Sequence, residues 1–160
     1  YASACTLDTD QEILIPDSYV ENITERLSLY TRLDHSENEE ELQNFRRELI
    51  DRFGPVPQQV EELFHVIQSR KYAIELGFEK MTLKENVLRC FFINKNDSPY
   101  FESETFKNIL DYIQTRTNKA RLKQIGTNFL LIIDNINNAD AMRAFLHQLW
   151  NNVTINAATT

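Results

Sequence analysis

An α+β domain, built from a helical N-terminal segment and a duplicated strand–strand–helix unit, is the fold class that three features of this sequence predict. Apolar residues recur at helical spacing from Val20 to Ile74. After Gly77 the period changes to that of strands. The stretch LKENVLRCFFINKN can then be laid on QIGTNFLLIIDNINN, and a helical pattern of similar length comes after each. Two such units combine most economically as a small antiparallel-rich sheet with helices on one face.

The first fifteen residues are weakly patterned, and CTLDT and EILI each suit a short edge strand. Pro16 and Asp17 break the chain, and Asp17 or Ser18 is placed to cap the first helix. From Val20, Ile23, Leu27 and Tyr30 keep helical spacing, with Leu29 and Leu33 beside them. Ser36 opens S-E-N-E, which reads as a capping box with Glu39. The acidic run Glu37 to Glu41 suits the positive end of a helix dipole. Leu42, Phe45, Leu49 and Phe53 form the second stripe. Gly54 stands where a left-handed C-cap favours glycine, Pro55 cannot continue the helix, and Pro57 suits the first turn of the next. Val60, Leu63, Phe64, Ile67 and Ile74 carry the third helix to Gly77, a second C-cap.

MTLKENVLRCFFI then reads as strand, two-residue turn at Glu85-Asn86, strand. NKNDSPY is a loop, and Glu104 to Thr115 a helix with Phe106, Ile109, Leu110 and Ile113 inward. RLKQIGTNFLLIID repeats the hairpin, turning at Gly126 to Asn128. Ala139 to Trp150 is the last helix, with Met142, Phe145, Leu146 and Leu149 as its stripe. The domain is therefore read as one body over residues 1–150, helical over 16–77 and duplicated over 78–150, with 151–160 a flexible polar tail.

Composition narrows the function. The 160 residues suffice for one well-buried domain. A net charge of −7 argues against a broad phosphate-binding surface. There is no apolar run of about 18 residues, hence no membrane span. YASACTLDTD lacks the basic and apolar regions of a signal peptide, and the missing initiator Met fits a fragment or a processed chain. Cys5 and Cys90 are expected to stay free, Cys90 as a small buried side chain.

No catalytic constellation is found. With glycines only at positions 54, 77 and 126, neither G-x-x-x-x-G-K-[ST] nor G-x-G-x-x-G can be built. FLLIID, ending at Asp134, is a buried strand without a phosphate loop. His35, His65 and His147 have no His or Cys at metal-ligand spacing. No G-x-S-x-G elbow occurs. The acids at Glu37 to Glu41, and Glu61 with Glu62, sit in first turns, where capping explains them. The expectation is a chain with no catalytic, cofactor-binding or metal-binding residues of its own.

Two charged groups are candidates for binding. Arg116, Lys119, Arg121 and Lys123 span a helix end and an edge strand. Dipole compensation and edge protection account for them, and a nucleic-acid patch is the alternative. Glu48, Asp51 and Arg52, at i, i+3 and i+4, share a helix face. Spacing alone reads that face as solvated, with a weak internal ion pair.

The stretches IPDSYVENITERLSLYTRL (15–33) and EEELQNFRRELIDRFGPVPQQVEELF (39–64) resemble the C-terminal domain of bacterial transcription-repair coupling factors. The matching pattern runs through Ile15, Pro16, Tyr19, Arg26, Leu27, Tyr30, Leu33, Glu48, Leu49, Asp51, Arg52, Phe53, Gly54, Pro57, Val60 and Leu63. The resemblance implies a regulatory, non-catalytic domain of a cytoplasmic bacterial DNA translocase. The ATP and Mg of that translocase belong to motor domains elsewhere in the parent. It implies docking on the N-terminal UvrB-like module of the same protein, which masks UvrA binding and restrains the motor, in a parent that binds RNA polymerase, UvrA and DNA. Carried over, the interdomain contact falls on Glu48, Asp51 and Arg52. The alternative function is an accessory nucleic-acid-binding domain using the Arg116–Lys123 patch.

Overall fold

The computed structural model describes residues 2–94 and 98–159, with side chains through Thr154. Lys95, Asn96 and Asp97 of the expected NKNDSPY loop lie outside the described residues, as do Tyr1 and Thr160. The chain divides into two compact units, residues 12–68 and residues 1–11 with 69–160. The division falls inside the third helix, eight residues before the change of period at Gly77.

The helical unit contains α1 (Ile23–Asp34), α2 (Glu39–Phe53) and the first part of α3 (Gln58–Leu76). Its core gathers Ile15, Val20, Leu29, Leu33, Leu42, Phe45, Leu49, Val60, Phe64 and Ile67. The first helix departs from expectation at both its start and its inward face. Asn22, not Asp17 or Ser18, is the N-cap, its Oδ1 accepting from Glu25 N at 2.9 Å. The buried pair is Leu29 and Leu33, whereas Ile23 and Leu27 are 64% and 61% exposed. Residues 17–19 form a separate turn, so Val20 is buried ahead of the helix and does not set its phase.

The capping box expected at the second helix is also displaced. Asn38 Oδ1 accepts from Glu41 N at 2.9 Å, and Glu41 Oε2 accepts from Glu37 N at 2.6 Å. Ser36 instead donates to Arg32 O at 3.2 Å. An Asn two residues on supplies the same acceptor as a serine, and its own acidic partner sits three residues further along.

The second unit is built on a five-stranded sheet in the order β1-β2-β3-β5-β4. Its strands are β1 (Thr6–Thr9), β2 (Phe78–Lys84), β3 (Val87–Phe92), β4 (Ala120–Ile125) and β5 (Asn128–Asp134). All pairings are antiparallel except β1 with β2. CTLDT thus forms the expected edge strand, but EILI does not: Ile15 goes into the helical core. The β2–β3 turn falls at Glu85 and Asn86, whose φ values of 53° and 62° are those of a tight hairpin turn.

Helices α4 (Glu104–Thr115) and α5 (Ala139–Thr159) pack on one another. The sheet turns Leu88, Cys90, Phe92, Leu131 and Ile133 into the core, where Phe92 meets Phe106 of α4 edge-on at 5.3 Å. The last helix runs to Thr159 instead of ending at Trp150, because Val153, 2% exposed, extends the stripe of Met142, Leu146 and Leu149. The expected polar tail therefore starts as helix.

Candidate functional site

The family-like residues of the helical unit separate into those that lock a corner and those that face solvent. Tyr19 Oη lies 2.9 Å from Gly54 O and 3.2 Å from Leu49 O, and its ring meets Phe53 at 5.7 Å. Tyr30 Oη accepts from Ile15 N at 2.6 Å, and Arg26 Nη1 donates to Val20 O at 2.6 Å and Glu21 O at 2.9 Å. Backbone groups of the entry segment, those of the buried Ile15 and Val20 among them, thereby find partners. Gly54 adopts φ 91° and ψ −168°, not the left-handed helical cap expected of it. That region is open essentially only to glycine, so the position still demands glycine, for an extended turn. Its N–H bonds Ile50 O at 3.0 Å, and Pro57 O then accepts the first bonds of α3.

Just before this corner, α2 turns charged side chains outward, but not as an isolated pair. Arg32 of α1 grips Glu48 with two hydrogen bonds of 2.6 and 3.0 Å. Arg52 reaches back to Glu48 at 3.3 Å and pairs with Glu25 of α1. The result is a ladder, Arg32–Glu48–Arg52–Glu25, across two helices running in opposite directions. The Arg32 and Arg52 guanidinium groups also lie over the rings of Phe45 and Phe53, at 5.0 and 4.8 Å. Hydrogen bonding from Arg32 is the main reason the Glu48 carboxyl titrates below its ordinary value.

Asp51 stands apart. It is exposed and has no ion-pair partner among the described residues. Of the three residues assigned to docking by resemblance, two are engaged within the unit and one carboxylate is uncommitted. Reading α2 alone missed Glu25 and Arg32. Their seven-residue separation, two helical turns, was the signal that α1 offers a matching charged edge.

The four basic residues expected to form one patch divide between a loop and a strand. Arg121 is engaged with Asp134 of the neighbouring strand at 2.5 Å, and Lys123 points from the same face of β4. Arg116 and Lys119 instead line a cleft of about 790 Å³ beside α4 and α5, in which Arg121 and Lys123 take no part. Arg116 and Lys119 thus precede β4, which begins at Ala120, while Arg121 and Lys123 lie two apart within it and share a face.

The solved C-terminal domain of a transcription-repair coupling factor superposes with a TM-score of 0.76, covering 95% of both chains at 17% identity, which shows the fold. A family model described as the TRCF domain matches residues 9–103, and the chain belongs to that family. The transcription-repair-coupling factor of Rickettsia conorii is 27% identical over 146 residues, 91% of this chain. That of Escherichia coli K12 is 35% identical over 83 residues, 52% of this chain. The chain spans 12% of the Rickettsia conorii protein and 7% of the Escherichia coli one in these matches. No helix among the described residues is long and apolar enough to cross a membrane.

Proposed function

We propose that this chain is the regulatory, non-catalytic C-terminal domain of a transcription-repair coupling factor. It docks through the charged face of α2 on the N-terminal UvrB-like module of the same protein. Docking covers the surface that UvrA uses and restrains the ATP- and Mg-dependent motor until RNA polymerase is engaged on DNA in the bacterial cytoplasm. The observation that carries this reading is the uncommitted Asp51 carboxylate beside the Arg32–Glu48–Arg52–Glu25 ladder, on an exposed helix held by the Tyr19–Gly54 corner. A rigid, charged, water-accessible contact can hold a partner yet release it, since such contacts weaken with salt.

The test is binding of the 160-residue chain to the isolated N-terminal module over a salt series. Asp51→Lys should weaken binding about tenfold at low salt, with the gap closing as salt rises, and should leave the unfolding midpoint unchanged. Equal affinity of wild type and Asp51→Lys at every salt concentration would remove Asp51 from the contact. Glu48→Lys is the less clean probe, because it also opens the ladder to Arg32.

A further inference from the structure

The cleft between the end of α4, the start of β4 and the outer side of α5 has the construction of a ligand site that the docking face does not use. Its volume, about 790 Å³, lies within the range that small molecules and cofactors occupy. Two aromatic side chains line it: Tyr112 of α4 is buried and Phe145 of α5 half-buried. Arg116 and Lys119 from the α4–β4 loop line it as well, with the amides of Asn135 and Gln148. Among the described residues none that lines it is an Asp or Glu, in a chain with 24 acids against 17 basic residues.

The cations are held but not neutralised. Arg116 Nη1 donates to Asn152 Oδ1 at 3.3 Å, an uncharged partner, and has no ion pair among the described residues. Lys119 has no ion pair among the described residues, and its backbone N–H is fixed by Thr117 Oγ1 at 3.1 Å. Asn135, at φ 60°, turns the chain directly from β5 toward α5 at the cleft edge. The negative end of α4 explains a basic residue at Arg116, but not a second cation in the loop beyond it.

We propose that this cleft binds a small phosphorylated ligand with a planar, hydrogen-bonding body, of the mononucleotide class. Arg116 and Lys119 take the phosphate, Tyr112 and Phe145 the flat body, and the Asn135 and Gln148 amides its polar edge.

The test is an amide NMR titration of the 160-residue chain with adenosine diphosphate, inorganic pyrophosphate and adenosine as separate probes. Adenosine diphosphate should give saturable shifts at residues 112–119, 135–136 and 141–148, with a Kd of about 1 mM or tighter. Pyrophosphate and adenosine should each bind more weakly. Arg116→Gln with Lys119→Gln should weaken adenosine diphosphate at least about tenfold. Ala144→Trp, which fills the cleft from an exposed position, should abolish binding, while Lys123→Gln on β4 should leave it unchanged. Shifts that do not saturate would overturn the site. So would equal weakening by Lys123→Gln and the double variant, which marks non-specific charge attraction. Pyrophosphate binding as tightly as adenosine diphosphate would overturn the ligand class.

Discussion

Gly77 is the position where a single added methyl group should do the most damage for its size. It has φ 92°, and a Cβ there would sit 2.7 Å from Tyr100 Oη and closer still to the ring. The ring has no room to swing aside. Tyr100 is 1% exposed, packs against Phe92, Phe101 and Phe106, and donates its hydroxyl to Leu76 O at 2.5 Å. Gly77→Ala therefore combines backbone strain of about 1–3 kcal/mol with overpacking of about 1–3 kcal/mol. A strained hydroxyl bond adds up to about 1 kcal/mol, for an expected loss near 4 kcal/mol. Gly126→Ala, in the same unit at φ 62° with nothing within 4 Å of its Cβ, should cost only about 1–2 kcal/mol. Urea unfolding followed by the fluorescence of Trp150, the sole tryptophan, reads both variants in the unit that contains them. If Gly77→Ala cost no more than Gly126→Ala, the Tyr100 contact would not be what makes glycine necessary there.

Three further outcomes are expected. A double-mutant cycle on Arg32 and Glu48, both more than a third exposed, should give a coupling of about 0.5–1 kcal/mol that falls with added salt; a salt-independent value would contradict a solvent-screened pair. Glu61 is gripped by Arg46, whose hydrogen bonds hold its carboxyl below the ordinary 4.5. That contribution is full above pH 4.5 and is lost as the pH falls through the lower folded value. Arg46→Gln should thus cost about 1–2 kcal/mol at neutral pH and progressively less in acid, as read from urea midpoints across pH. Cys5 and Cys90 are both fully buried, and burial pushes the Cys5 thiol up to about 12, so native labelling by a disulfide reagent at pH 8 should proceed only as fast as the protein opens. Rapid labelling of folded protein would refute it.

Much of this fold is legible from local chemistry. The Glu85-Asn86 turn and the Gly77 helix stop rest on short-range patterns and lie where those patterns put them; the second hairpin turns at Gly126 and Thr127, with Asn128, expected in the turn, already in β5. The failures are of two kinds. Several acceptors compete at each helix start, and the winners, Asn22 and Asn38, lie within a few residues of equally good candidates. The others depend on partners distant in sequence. Nothing in CTLDT says that it will run parallel to β2, and nothing in α2 alone says that Glu48 and Arg52 will be shared with α1. The same holds for the basic residues: nothing in the run from Arg116 to Lys123 says that Arg116 and Lys119 will line a cleft with residues of α5, or that Arg121 will pair with Asp134.

The strand β1 has a consequence for how the chain acquires its shape. It pairs Thr6 with Lys80 and Thr9 with Leu83, so the whole helical unit, residues 12–68, is a loop closed by that pairing. Closing a long disordered loop for a four-residue strand is entropically poor, and each doubling of its length adds about 0.6 kcal/mol. If the helical unit collapses first, the slack to be closed shrinks, and β1 becomes a late latch rather than a nucleus. Mutations that loosen the α1–α2 pairing should then slow the docking of an edge strand whose own residues they never touch.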